Sequence, residues 1–262
     1  MKYAVWQTDI VAGDPERNRA QAAEWAAETV KIDAPDVLVL PEMWTTAYTL
    51  DRLEEVADRD GEPTLSFLRE LAKQHGVHVI GGSIANKRDG EFYNTALVVN
   101  RAGEVVHTYD KIHLVPMLDE PAYLAGGTSR AALFELDGVK MAVIICYDLR
   151  FPELARQLAL AGAEVLHIVA EWPSARAAHW RALQLARAIE NQMPVVSCNR
   201  IGTTGGTRFC GASMVIDAWG TVLAEGSEDR EETVTAAIDL TQAATVRKQV
   251  PVFASRVPDL YL

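Results

Sequence analysis

Short apolar runs alternate with amphipathic segments along the chain, and this alternation predicts an α/β fold. Several runs are apolar at every position, which is typical of strands covered on both faces. The sequence predicts eleven strands, at residues 3–7, 37–40, 77–84, 93–100, 105–109, 140–145, 165–170, 195–199, 213–217, 222–225 and 232–238.

Five helices are predicted from the residues at their ends. Asp14 and Pro15 form an N-cap and a first-turn proline, and Pro63 and Pro152 open two further helices. Gly76 supplies the residue that ends the second helix. The helices are expected at about residues 15–30, 63–76, 152–162, 177–192 and 241–248.

These elements favour two packed sheets with helices outside over a Rossmann fold. Strands 93–100 and 105–109 predict a hairpin that turns at Arg101, Ala102 and Gly103, and such an antiparallel pair is foreign to a purely doubly wound sheet. No repeat, low-complexity segment or linker interrupts the chain. We therefore expect a single domain over residues 1–262, with an irregular tail from about residue 249.

Charge and cysteine usage narrow the possible partners. The net charge is −11 and the basic residues are scattered, so no nucleic-acid partner is expected, although a small anionic substrate stays possible. No apolar run is long enough to cross a bilayer and no signal-peptide pattern is present, so no membrane is expected. The three separated cysteines, Cys146, Cys198 and Cys210, fit a reducing compartment, and we expect a cytoplasmic protein.

Three predicted strands end abruptly in a reactive side chain. Glu42 follows strand 37–40, Lys111 follows strand 105–109, and Cys146 follows strand 140–145. Sites in α/β proteins gather at the carboxyl ends of strands, where rigid backbone aims side chains into a crevice. Taken singly, Glu42 and Lys111 could be surface charges and Cys146 a core residue. Cys146 also precedes the helix that opens at Pro152, and a nearby helix N-terminus favours a thiolate.

Other catalytic motifs are absent from the sequence. The six histidines lack His-x-x-x-His and His-Glu-x-x-His spacing, and no Cys-x-x-Cys occurs, so a metal site is not expected. No Gly-x-Ser-x-Gly elbow is present. The glycine-rich segment at residues 202–206 lacks the lysine of a phosphate-binding loop and is interpreted as a mobile loop. His113 and His179 could reach a pocket, but structural roles are favoured for both.

The segments around Glu42 (residues 41–43), Lys111 (109–114) and Cys146 (146–153) resemble the three signature segments of the nitrilase, or carbon–nitrogen hydrolase, superfamily, in the same order. The resemblance extends from Tyr3 to about Asp239. It implies a four-layer αββα sandwich, a homodimer and no metal or organic cofactor. It also implies a second glutamate after the lysine, for which Glu120 fits, although a solvated loop acid is the alternative there.

The chemistry that the resemblance implies is cleavage of a non-peptide amide through a cysteine thioester. Glu42 would act as general base, and Cys146 as nucleophile. Lys111 and the backbone N–H of Tyr147 would stabilise the oxyanion, while Glu120 would hold Glu42 or the substrate amide.

The second half of the chain resembles bacterial ω-amidases most, in residues 172–173, 179–180, 187–192 and 198–200. This implies a small substrate with an amide at one end and a carboxylate at the other, such as 2-oxoglutaramate. Arg176 is the candidate carboxylate clamp, with Arg208 as a second choice, and Trp172 could form a pocket wall. Surface charges are the alternative for the two arginines, and core packing is the alternative for Trp172. An N-carbamoyl amine hydrolase, a deaminated-glutathione hydrolase and a catalytically idle binding scaffold remain as alternatives.

Overall fold

The structure is a computed structural model, and it describes residues 1–261. These residues form fifteen strands, which are β1 Lys2–Gln7, β2 Val37–Val39, β3 Asp58–Arg59, β4 His78–Arg88, β5 Glu91–Val99, β6 Val105–Asp110, β7 Phe134–Leu136, β8 Val139–Ile145, β9 Val165–Ala170, β10 Val195–Asn199, β11 Thr203–Thr204, β12 Thr207–Arg208, β13 Met214–Ile216, β14 Val222–Glu225 and β15 Glu232–Ala237. All eleven predicted strands are therefore confirmed, with shifts of a few residues at their ends.

Seven α-helices are present in the same residues, and they are α1 Pro15–Asp33, α2 Leu53–Val56, α3 Thr64–His75, α4 Glu120–Tyr123, α5 Pro152–Leu160, α6 Ala177–Asn191 and α7 Gln242–Gln249. The predicted N-cap of α1 is confirmed, because the Asp14 side chain accepts from the Arg17 backbone N–H at 3.1 Å. Gly76 ends α3 in the left-handed conformation. Within residues 1–261 no helix combines the length and the hydrophobicity needed to span a bilayer.

Two mixed sheets organise the chain. The first has the order β15-β1-β2-β4-β5-β6, with β3 beside β4, and the second has the order β14-β13-β10-β9-β8-β7. Parallel pairs occupy the centre of each sheet, β1-β2-β4 in the first and β8-β9-β10 in the second. The carboxyl ends of these central strands therefore lie at shared sheet edges, which is where the candidate residues are found.

The central strands of the first sheet, β1, β2 and β4, are buried on both faces. Tyr3 and Val5 belong to the core between the sheets, together with the residues of β8 and β9. Ala4 and Trp6, one position out of phase, pack on the other side against α1 and α3. Helices α5 and α6 contribute to the core through the second sheet. The predicted four-layer αββα sandwich is confirmed, and burial on both faces explains why the strands are apolar at nearly every position.

The structure places part of a hairpin where a loop is predicted at residues 202–206. β11 and the turn that leads to β12 lie in this segment, and Thr203 pairs with Arg208 and Thr204 with Thr207. Gly205 and Gly206 both have positive φ, which suits the tight turn between the strands. The glycines thus form the turn of the hairpin.

Strand β7 was not predicted, because it is only three residues long and ends directly at a turn. Phe134 pairs with Met141 and Leu136 with Val139, around a turn at Asp137 and Gly138. The predicted hairpin between residues 93 and 109 is confirmed by the antiparallel pairing of β5 and β6. A further hairpin joins β4 to β5 at Asp89 and Gly90.

The tail follows α7, which ends at Gln249. In the tail, the ring of Phe253 packs on the main core beside the guanidinium groups of Arg156 and Arg247. Val257, Leu260 and Tyr261 are exposed, and Leu262 lies outside the described residues.

Candidate active site

Three strand ends bring the predicted catalytic residues together. Glu42 follows β2 through Pro41, Lys111 follows β6 directly, and Cys146 follows β8 directly. Because β2 and β6 belong to the first sheet and β8 to the second, the residues face one another across the sandwich. Glu42 and Lys111 are fully buried, and Cys146 is nearly so.

The centre of the site is the ammonium group of Lys111. Its Nζ lies 2.8 Å from Glu42 Oε1 and 2.7 Å from Glu120 Oε1, and all three side chains are inaccessible to solvent. Its third contact is the hydroxyl oxygen of Tyr48, at 3.3 Å. Glu120 therefore joins the predicted residues, and the alternative of a solvated loop acid is wrong.

Neutral donors hold the two carboxylates. Glu42 Oε1 accepts from the Asn94 amide at 2.8 Å, and Glu42 Oε2 accepts from the backbone N–H of Glu171 at 2.6 Å. Glu120 Oε2 accepts from the backbone N–H of Val115 at 2.6 Å. Backbone donors of this kind are fixed before any substrate binds, so the carboxylates are oriented in advance.

Burial and charge act on these groups in opposite directions. Burial alone would lower the pKa of Lys111, but Glu42 and then Glu120 raise it above its usual value, so the ammonium stays charged. Burial raises the pKa of Glu120, and the nearby Lys111 only partly opposes this. Two carboxylates share one cation, so a single added proton would make the cluster of Glu42, Lys111 and Glu120 neutral.

The thiol of Cys146 is a protonated group in this environment. Burial raises its pKa well above the usual value, Glu42 raises it further, and Lys111 opposes both effects. The N-terminus of α5, which is predicted to favour a thiolate, lies six residues further along the chain, and burial acts on the thiol in the opposite direction. Cys146 also has φ +46°, a sparsely populated conformation for a non-glycine residue that is found at functional turns.

Asp148 connects the turn at Cys146 to the segment that carries Lys111. Its Oδ2 accepts from the Tyr109 hydroxyl at 2.8 Å and from the backbone N–H of Ile145 at 3.1 Å. Its Oδ1 lies 2.7 Å from His113 Nδ1. Tyr109 and His113 flank Lys111 along the chain, and Ile145 directly precedes Cys146. One buried carboxylate therefore fixes the two segments relative to each other.

A cavity of about 410 Å³ opens onto Cys146. Trp172 and Arg176, the two residues predicted to bind substrate, line it, and the Trp172 indole N–H donates to the Arg176 carbonyl at 2.9 Å. Arg208, on the β11–β12 hairpin, also lines the cavity. Tyr147 also lines the cavity, which places its backbone beside Cys146.

Arg150 is a third arginine in the cavity wall, which sequence reasoning missed. Its guanidinium carbon lies 4.6 Å from the centre of the Trp172 ring and 5.7 Å from that of Tyr147. None of Arg150, Arg176 and Arg208 has a carboxylate within 4.0 Å among residues 1–261. The cavity therefore combines a buried thiol with three cationic side chains that are free to bind an anion.

Glu171 and Arg200 were missed too, although the strand-end argument applies to them. Glu171 follows β9 and Arg200 follows β10, and both are fully buried. Arg200 Nη1 lies 2.9 Å from Glu171 Oε2, and the same nitrogen donates to Thr204 on the hairpin at 3.0 Å. Burial raises the pKa of Glu171 to about 8 against the opposing effect of Arg200. This pair links the pocket hairpin to the residue whose backbone binds Glu42.

The histidines have structural surroundings. His113 stacks on Phe151 with ring centres 3.5 Å apart, and His179 is exposed on α6. Neither lines the cavity at Cys146. Within residues 1–261, no cluster of three or more histidine, cysteine or acidic side chains has a geometry that could hold a metal ion.

Comparisons with known proteins relate the whole chain to hydrolases of known family. The family model for carbon–nitrogen hydrolase matches residues 2–248. A 2-oxoglutaramate amidase of Bacillus subtilis (strain 168) is 47% identical over 263 residues and is covered at 100%, as is this chain. The ω-amidase YafV of Escherichia coli (strain K12) is 34% identical over 221 residues, 84% of each protein. A carbon–nitrogen hydrolase from Helicobacter pylori G27 superposes with a TM-score of 0.91 at 26% identity, covering 100% of this chain and 96% of that one.

Removing the central cation should destabilise the protein strongly. Lys111→Met leaves Glu42 and Glu120 buried without a counter-charge, which should lower the free energy of unfolding by ~3–5 kcal/mol. The same change at the exposed Lys140 is the control and should have little effect. In the folded variant, protonation removes the unpaired negative charge of the two carboxylates. The loss of unfolding free energy relative to wild type should therefore shrink as the pH falls from 8 towards 5. Urea unfolding at several pH values measures this, and a deficit that grows on acidification would contradict it.

Proposed function

The chain belongs to the carbon–nitrogen hydrolase family, and on that premise we propose that it is an ω-amidase that releases ammonia from the ω-monoamide of a short dicarboxylate. A compound like 2-oxoglutaramate fits this description, and a relative with 47% identity is named for that substrate. The observation that carries the proposal is the cavity at Cys146, which joins a nucleophile to three arginines. An amide reaching the thiol could extend its carboxylate to the cationic wall.

The first half of the proposed reaction forms a thioester. Glu42 takes the proton of the Cys146 thiol as Sγ attacks the amide carbon, which suits a thiol whose pKa is raised by burial. The backbone N–H of Tyr147 donates to the oxyanion, and a donor of this kind lowers the barrier by ~3–4 kcal/mol, while the positive charge of Lys111 stabilises the oxyanion electrostatically. The carbon–nitrogen bond then breaks, Glu42 returns its proton to the nitrogen, and ammonia leaves.

The second half consumes one water molecule. Glu42, again a carboxylate, takes a proton from water as the oxygen attacks the thioester carbon. The carbon–sulfur bond breaks, the proton returns to Cys146, and the product is the free dicarboxylic acid. Glu120 holds Lys111 against Glu42 throughout, and no step uses a metal or an organic cofactor.

We assign recognition of the substrate carboxylate to the three arginines that line the cavity, with Arg176 as the first candidate. A carboxylate buried without a partner would be strongly disfavoured, and Lys111 is already engaged by two carboxylates. Arg176 lines the cavity, and the Trp172 indole N–H donates to its backbone carbonyl, which positions the backbone that carries the Arg176 side chain. Arg150 and Arg208 line the same cavity and would add to its positive potential.

We also propose a cytoplasmic homodimer. The three cysteines are free thiols, which a reducing compartment would preserve. Apolar side chains stay exposed on the helices of the second sheet and in the tail, as expected of a surface that a second copy covers. They include Leu160 on α5, Ile189 on α6, Val257 and Leu260.

Cys146→Ala should abolish amide hydrolysis, with at least a roughly thousandfold loss of kcat, while the protein stays folded. Alanine fills most of the same space, so little stability should be lost. Cys198→Ala and Cys210→Ala are matched controls, since both thiols are buried away from the cavity and should keep most of the activity. The assay is ammonia release from 2-oxoglutaramate, glutaramate and succinamate, beside a nitrile and an N-carbamoyl amine. Preference for the last two, or near-normal turnover by Cys146→Ala, would contradict the proposal.

Arg176→Ala should impair substrates that carry a carboxylate and spare neutral ones. If the contact is buried, the loss in transition-state binding should be ~2–5 kcal/mol. Comparing kcat/KM for succinamate and butyramide in wild type and variant isolates the contribution of the carboxylate. Equal losses on both substrates would mean that Arg176 supports its loop, and the same comparison for Arg150→Ala and Arg208→Ala would then identify the clamp.

Light scattering should give twice the mass of one chain at micromolar concentration. Leu260→Asp and Ile189→Asp place a charge on the exposed apolar surfaces of the tail and of α6, and at least one should shift the mass towards the monomer. A stable monomer in the wild type would contradict the proposed dimer.

A further inference from the structure

Tyr48 occupies a central place in the catalytic cluster, although no signature segment contains it. Its hydroxyl lies 2.9 Å from Glu42 Oε1, contacts Glu120 Oε1, and accepts from Lys111 Nζ at 3.3 Å. These four side chains therefore form one contiguous polar cluster. The residue sits in the loop after β2, six positions beyond Glu42, and one side of it lines a second cavity of about 250 Å³.

The donors and acceptors around Tyr48 indicate which carboxylate receives its single proton. Lys111 has three N–H donors, and its three partners are Glu42, Glu120 and the Tyr48 oxygen. Tyr48 has one proton for two carboxylates. Glu42 Oε1 already accepts from Asn94 and Lys111, whereas Glu120 Oε1 accepts from Lys111 alone. The Tyr48 proton therefore contributes most at Glu120, where a second donor is needed.

We propose that Tyr48 is a positioning residue for the hydrolysis: its hydroxyl holds Glu120 as a carboxylate and keeps Lys111 shared between Glu120 and Glu42. This inference rests on the proposed function, in which Glu42 must accept the thiol proton. If Glu120 took up a proton, Lys111 would turn its charge to Glu42 alone and make Glu42 a weaker base. Tyr48 prevents this without touching the substrate.

The charges around Tyr48 support a hydroxyl that stays protonated. Burial raises the pKa of Tyr48 well above its usual value, and the surrounding acids raise it further. The groups that face it are Glu120 on α4, Glu42 after β2, Cys146 after β8, Glu171 after β9 and Lys111 after β6, with Asp51 and Asp119 across the second cavity. A phenol in such surroundings acts as a fixed donor.

Tyr48→Phe, which removes one oxygen and keeps the ring, should lower kcat roughly ten- to a hundredfold and leave KM within about threefold. The hydrogen bond from Tyr48 lowers the pKa of Glu120. Without it that pKa rises, so a higher pH is needed to ionise Glu120, and the acid limb of the kcat profile should move up by about one unit. A general loss of packing would not move the acid limb in this way.

Tyr123→Phe is the matched control, because Tyr123 lines the same second cavity and its hydroxyl makes no hydrogen bond within residues 1–261. It should leave both kcat and the pH profile unchanged. Glu120→Gln tests the same link without altering Tyr48. The pH profile of kcat for this variant should lose the acid limb that Glu120 contributes, and adding Tyr48→Phe should then have little further effect on kcat. A Tyr48→Phe enzyme with normal kcat, an unmoved acid limb, or losses that multiply with those of Glu120→Gln would overturn the inference.

The wild-type assay separates this inference from the proposed function. If wild type hydrolyses some other amide instead of an ω-monoamide, the proposed substrate is wrong, and Tyr48→Phe is then measured on the amide that is hydrolysed. If wild type hydrolyses the ω-monoamide and Tyr48→Phe behaves like Tyr123→Phe, only the role of Tyr48 is wrong.

Discussion

A lysine ammonium without access to solvent has to be held by carboxylates, and Lys111 is held by two. This requirement brings the loop after β2, the segment after β6 and the short helix α4 to one point. Removing ions from water is unfavourable, and the attraction between the ions compensates only when their geometry is good and their remaining donors and acceptors are used. In this site all three Lys111 protons have acceptors, so the cluster depends on the exact placement of Glu42, Glu120 and Tyr48.

That placement is fixed by groups that do no chemistry. The backbone N–H of Glu171 donates to Oε2 of Glu42, and that of Val115 donates to Oε2 of Glu120. The Asn94 amide donates to Oε1 of Glu42. Since β9 follows β8 in the same sheet, the bond from Glu171 also sets the distance between the base and the turn that carries Cys146. A polar site arranged before the substrate binds has little reorganisation to make during the reaction.

The alternation of apolar and amphipathic segments predicts the layers, and apolar strands that end sharply in polar side chains single out Glu42, Lys111 and Cys146, which the family resemblance then joins into one site. Applied to β9 and β10, the same rule would have found Glu171 and Arg200. Tyr48 could not be found in this way, because it lies in an irregular loop whose course depends on tertiary contacts. The β11–β12 hairpin was misjudged because glycines in a short segment signal a turn and a flexible loop alike.

The charges on the two sides of Cys146 determine how the proposed substrate is oriented. On the inner side, Glu42, Glu120 and Lys111 together carry one more negative charge than positive when both acids are ionised. On the outer side, Arg150, Arg176 and Arg208 face the cavity without carboxylate partners among residues 1–261. A substrate carboxylate is therefore repelled from the catalytic cluster and attracted to the outer wall. The neutral amide is the end that can approach the thiol, so the direction of binding follows from electrostatics before any specific contact forms.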